Sequence, residues 1–183
     1  MVTSECSHTT ADTQPFALDP ATTPGSAAFT FKNQLLPSAI QVDETHNRLL
    51  ARRIGVGVQV YDYHSADAKW VNREPEADLY DIRTGIQRGI HFAGPHWADA
   101  DGSRVKGTLP VAVDAPVDPA RNVKWVRLEA AERFGSAKTL FAHVTFIQRV
   151  FTYGGQPPAN LTPADGDTVS VPYTALYVFW TGK

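Results

Sequence analysis

Two long runs near the C-terminus, Leu140 to Tyr153 and Thr168 to Trp180, decide what this chain can become, because both are β-branched and aromatic and neither carries a helical period. They read as central strands. In the second, Val169, Val171, Tyr173, Ala175, Tyr177 and Phe179 share one face, while Leu176, Val178 and Trp180 share the other with Ser170 and Thr174. A strand that is apolar on both sides needs cover on both, as in a sandwich or a closed barrel. Pro172 removes one ladder donor and marks an edge or a bulge at that point.

From Ile54 onward, short β-rich runs alternate with turn signals, and no internal repeat is present. Gly55 to Tyr63 places Val56, Val58 and Val60 on one face and Gln59, Tyr61 and Tyr63 on the other, one of the two being core. Further strands are expected at Lys69 to Arg73, Asp78 to Arg83, Gln87 to Phe92, Arg104 to Val113, and Val123 to Ala131. The expected fold class is therefore all-β, an antiparallel β-barrel or β-sandwich of about ten strands. Asp43 to Arg53 is the one helical candidate, with Asp43 as its cap; an extended lead-in to the first strand is the alternative. Residues 1–28 are rich in Thr, Ser, Ala, Asp and Pro, too poor in burial to offset their ordering entropy. They are expected to form a flexible arm, with Phe16 and Leu18 able to drape over a single β domain spanning 29–183.

Composition narrows the function classes. The 183 residues suffice for one hydrophobic core, and 13 Gly and 13 Pro favour many short elements. Net charge is −2 and only Arg52 and Arg53 are adjacent basic residues, so there is no footprint for a phosphate backbone and no nucleic-acid partner is expected. Cys6 is the single cysteine, which excludes an internal disulfide and a cysteine-based zinc site. No run approaches the roughly 20 apolar residues of a membrane span, and no signal-like order opens the chain. The expectation is a cytoplasmic protein without a membrane partner; a secreted protein whose signal had been removed would read the same way.

The densest cluster of special residues is Gly89-Ile90-His91-Phe92-Ala93-Gly94-Pro95-His96-Trp97. Gly94-Pro95 breaks the strand and re-aims the side chains beyond it, so His91 and His96 could line one cavity or be a satisfied sheet residue and a surface residue. Asp99-x-Asp101-Gly102 lacks the closing Glu of a calcium loop and reads first as a hairpin turn, so no metal site is assigned. Ser103-Arg104-Val105-Lys106 has neither companion motif of the penicillin-recognising enzymes. No Gly-x-Ser-x-Gly elbow, phosphate loop or dinucleotide fingerprint occurs, and no cofactor is expected. More informative are polar residues inside apolar strands. Gln148 and Arg149 lie side by side in Phe146 to Phe151 and point to opposite faces, so cover on both faces buries at least one of them. Pairing of Arg149 with Glu129 or Asp81 is one expectation, a donor role in a ligand cavity the other. Gln59, Tyr61, Tyr63, His96, Trp97, Tyr173, Tyr177 and Phe179 are candidate ligand walls, each of which can equally be core.

Read in order, Gly57-Val58-Gln59-Val60-Tyr61, Trp70, Pro75-Glu76-Ala77-x-Leu79, His91-x-x-Gly94-Pro95-x-Trp97, Asp101-Gly102-Ser103-x-Val105, Ile147-Gln148-Arg149-Val150-x-Thr152-x-Gly154-Gly155-x-x-Pro158 and Val171-Pro172-Tyr173-x-Ala175-x-Tyr177-x-Phe179 resemble the bacterial and fungal family known as domain of unknown function 3455. The resemblance implies a mostly β domain, typically secreted, with no agreed catalytic residues and, for some members, a dehydrogenase label that nothing in this chain supports. Asp62 and the lack of cysteine near Asn160 depart from the pattern; a member kept in a reducing compartment would lose such cysteines. By analogy of fold with stand-alone β-barrel cyclases, the leading expectation is a cofactor-free small-molecule enzyme of specialised metabolism, of cyclase or Diels–Alder type, with His91, Gln148 and Arg149 as hydrogen-bond donors in a barrel pocket. The alternatives are a non-catalytic binding protein for a small apolar or sugar ligand, and a structural or stress protein.

Overall fold

The structure is a computed structural model and describes residues 29–159 and 161–183; the arm expected over residues 1–28 lies outside them. The described residues are all-β, with eight antiparallel strands in one sheet: β1 (Asn47–His64), β2 (Lys69–Asp81), β3 (Gln87–Phe92), β4 (His96–Asp99), β5 (Arg104–Val113), β6 (Trp125–Phe134), β7 (Val144–Gly154) and β8 (Thr168–Gly182). Each strand pairs with the next, and β1 also pairs with β8 from Asn47↔Gly182 to Asp62↔Thr168, so the sheet closes into a barrel. Closure removes the exposed edges that an open sheet would have to protect.

The strand count is eight rather than about ten, for local reasons. The two runs expected over 69–83 form one strand, β2, which crosses Pro75 unbroken. β3 pairs only with Ala77 to Tyr80, so the stretch around Pro75 has a neighbour on one side alone and tolerates the missing donor. Pro172 sits in the same situation, one residue beyond the last β8 position that β7 reaches, Tyr173. The hairpin through Gly94, where φ is +93°, adds the four-residue β4, too short to stand out in sequence. Helix is absent from 43–53: Asp43 caps a turn by accepting from the Thr45 amide, and β1 begins at Asn47. Leu140–His143 is a 3-10 turn, and β7 starts only after it.

Inside the barrel lie Leu79, Trp97, Val105, Leu128, Ile147, Tyr173, Tyr177 and Phe179, with Phe141 of the 3-10 turn set against Phe179 at 4.6 Å between ring centroids. The inner face of β1 is the one bearing Gly55, Gly57, Gln59 and Tyr61, while Val56 on the other face is 45% exposed. Space decides this orientation. A Cβ on Gly55 would meet the Tyr177 ring at 2.4 Å, and one on Gly57 would meet the Glu76 carbonyl oxygen at 2.0 Å. Large aromatic side chains from β8 fill the cross-section of a narrow barrel, and the strand beside them must be small.

The outer faces of β7 and β8 are covered as well, but not by a second sheet. Residues 29–42, with 3-10 turns at Asn33–Leu35 and Ser38–Ile40, lay Leu36, Ile40 and Val42 over Trp125, Val150, Leu176, Val178 and Trp180. At roughly 25 cal/mol per Å2 of apolar surface removed from water, such cover contributes on the scale of kilocalories.

Candidate functional site

Adjacent positions of β7 send Gln148 and Arg149 in opposite directions. Gln148 points outward and is fully buried beneath the 29–42 segment. Its Nε2 donates to Asn33 Oδ1 (3.1 Å) and to the Ile40 carbonyl (2.6 Å), and its Oε1 accepts from Trp180 Nε1 (2.8 Å). This amide is a pin between barrel and segment; it stands apart from the other candidate site residues.

Arg149 is half-buried and points inward, toward the end of the barrel formed by the loops after β1, β3, β5 and β7. Its Nε and Nη2 donate to the Lys124 carbonyl (3.2 and 3.0 Å), and the guanidinium lies against the Tyr177 hydroxyl, close enough to influence Tyr61, Tyr173 and His91. The ion pair expected with Glu129 or Asp81 is not formed. Asp81 is at the other end, where it and Asp99 flank Arg53 (3.2 and 3.1 Å), and no carboxylate of the described residues lies within 4 Å of Arg149.

The groups around Arg149 are neutral. Tyr177 and Tyr173 share a hydrogen bond (2.9 Å), Tyr61 donates to the Gly155 carbonyl (2.8 Å), and burial raises the pKa of all three phenols above 10. No phenolate balances the cation at neutral pH. Gln59 is 2% exposed; its Oε1 accepts from Asn72 (3.1 Å), and its Nε2 leans toward the Tyr173 hydroxyl without closing a hydrogen bond. Gly154 and Gly155, with φ of +74° and +92°, turn the chain so that the Gly155 carbonyl reaches Tyr61.

His91 and His96 separate. His91 is inside, stacked on Trp97 (4.3 Å, 5°) and edge-on to Tyr177 (5.1 Å); burial drives its pKa down to about 3. The ring is therefore neutral, with its proton on Nδ1 to donate to the His96 carbonyl (2.7 Å). His96 faces outward, stacked on Phe92, and its Nδ1 meets the Ala93 carbonyl at 2.7 Å. The two rings line no common cavity: one packs the interior, the other locks the hairpin. Trp97 and Phe179 are core, and Tyr63 stands at the rim, edge-on to Trp70 (5.3 Å). The structure thus gathers Gln59, Tyr61, His91, Arg149, Tyr173 and Tyr177, and leaves Gln148 and His96 elsewhere.

Sequence reasoning had no access to the Lys124 and Gly155 carbonyls, since any residue can supply one. Asn33, Asn72 and Arg53 were likewise missed; each is an ordinary polar residue until the fold brings its partner. Asp99-x-Asp101-Gly102 is the expected hairpin turn between β4 and β5, and Asp101 spends its carboxylate on Ser103 and the Leu140 amide.

Two open grooves of about 520 and 400 Å3 lie on the outer wall of β1 to β3. Ile54, Val56, Tyr80 and Ile82 line one, and Val56, Asp78, Ile90 and Phe92 the other. Neither contains Arg149. No helix among the described residues is long and apolar enough to cross a membrane.

Fold and site together define a side-chain-filled, closed antiparallel β-barrel that carries at one end an arginine without a carboxylate partner among the described residues. The family described as protein of unknown function DUF3455 matches residues 44–181, and the chain belongs to it. No curated protein and no solved structure matches the chain.

Proposed function

We propose that this protein binds a small molecule at the rim of the barrel around Arg149, rather than enclosing one in its interior. The carrying observation is the guanidinium of Arg149, which has two bonds to one backbone carbonyl and neutral phenols for neighbours, but no carboxylate among the described residues. The guanidinium is half-buried with its bonds to Lys124 at the exposed rim, where a ligand that supplies acceptors can pair with it. The packed interior leaves the reacting or recognised part of the ligand at the barrel end, where the half-buried Tyr63 offers flat apolar surface.

A second reading uses the same donors for turnover. A guanidinium and a phenol held in place are suited to a carbonyl oxygen that gains charge in a transition state, which is the cofactor-free cyclase-type chemistry expected from sequence. Mass spectrometry of small molecules released from the purified protein tests both. The expected result is a compound released by the native protein and missing from Arg149→Met, and its conversion on incubation marks the enzymatic reading. Identical release from both proteins would defeat the proposal.

A further inference from the structure

The outer wall of the barrel is apolar on two adjoining halves, and among the described residues only one half has a cover. Residues 29–42 lie over β6, β7 and β8 and fit Leu36, Ile40 and Val42 against them. On the neighbouring half, β1 to β3 turn Ile54, Val56, Tyr80, Ile90 and Phe92 outward. Val56 and Ile90 are each 45% exposed, and such a grouping of exposed aliphatic side chains marks a contact surface where a single one would not. Ile54 and Ile82 also pack against the covered cluster, so the bare half continues the covered one. Val56 lines both grooves, which therefore form one trough along β2. From Glu76 to Ile82 it runs about 20 Å, the length of about six extended residues.

Charge says what the occupant carries. Asp78 stands between Val56 and Ile90 in register, and Glu76 is the next outward residue of β2. Gln87 donates to Asp78 (2.7 Å), but neither carboxylate has a cation within 4 Å among the described residues. Arg83, the one cation lining the trough among these residues, is at the opposite end. Pockets for small molecules enclose most of the ligand's surface, which an open trough does not. An irregular stretch of chain needs no enclosure, and the covered half of the same wall is closed by one. We infer that the trough docks an extended segment of another protein, with basic side chains over Glu76 and Asp78 and apolar ones on Val56, Ile90 and Phe92. This surface is separate from Arg149, which neither groove contains.

Fluorescence anisotropy with two labelled peptides, acetyl-Lys-Lys-Leu-Thr-Val-Thr-Leu-amide and the same peptide with Glu for both Lys, tests this on the full chain, beside sedimentation of the protein alone. The basic peptide is expected to bind saturably and the acidic one about tenfold more weakly, as two exposed ion pairs turn to repulsion. Ile90→Ser should weaken the basic peptide about tenfold through lost apolar contact. Glu76→Lys, at an exposed position, should reduce or invert the preference between the two, while Arg149→Met at the barrel end should leave it unchanged. Equal binding of the two peptides would overturn the charge assignment, and no binding of either would overturn the docking site. A dimer of the native protein that Ile90→Lys dissolves would give the trough to a second copy instead. Peptide binding that arises only in a Phe16→Ser, Leu18→Ser variant would give it to the chain's own N-terminal residues.

Discussion

His91 shows how one buried ring couples this fold to pH. Its pKa in the folded protein is about 3, against about 6.5 for an exposed histidine, so protonation favours the unfolded chain. The stabilisation it contributes is complete above pH 6.5 and is lost progressively as pH falls toward 3, at about 1.4 kcal/mol per unit. His91→Phe keeps the stack on Trp97 and removes the titration. Urea unfolding at pH 7, 5 and 4 should show a shallower loss of stability in the variant than in the native protein, and equal slopes would contradict the buried, neutral assignment. At this scale the site was half legible. Tyr61, Tyr173, Tyr177, His91 and Arg149 stand out as polar groups in apolar strands, which is why they could be named in advance. Gln148 satisfied the same criterion and belongs elsewhere, because alternation says that two neighbours point apart and not which of them points in.

Elements were legible where they are long and less so where a neighbour decides. β3 and β5 have the expected ends, and β8 the expected two apolar faces. β1 is less obvious: valines look like core, yet Gly55 and Gly57 face inward because Tyr177 and β2 leave no room for a side chain there, and Gln59 follows on the same face. The segment 29–42 has no periodic pattern, but Leu36, Ile40 and Val42 bury the outer face of β7 and β8. Gln148 fastens it through two hydrogen bonds, to Asn33 and Ile40, and is itself held by a third from Trp180 of β8. Gln148→Leu leaves the Trp180 N–H and the Ile40 carbonyl without partners, and should lower the unfolding free energy by roughly 2–4 kcal/mol in urea titrations. A loss below about 0.5 kcal/mol would mean that the segment is held by its apolar contacts alone.

For the whole molecule, barrel and sandwich were equally compatible with the pattern, since both put protein on two sides of β8. What separates them is β1 pairing with both β2 and β8, a long-range event that no local run encodes. The closed, filled barrel leaves no central chamber of the kind expected, and the proposed site is therefore put at one end. The two arginines at opposite ends of it differ in kind: Arg53 is buried and held by Asp81 and Asp99, as a fold determinant would be, while Arg149 is held by a backbone carbonyl. Equilibrium unfolding of the ligand-free Arg149→Met protein is the most direct test of that distinction. Because this cation has no carboxylate to strand among the described residues, the variant should match native stability within about 1 kcal/mol or exceed it. A loss of about 3 kcal/mol or more, the cost of breaking a buried ion pair, would make Arg149 part of the scaffold and remove the basis for a binding site at the rim.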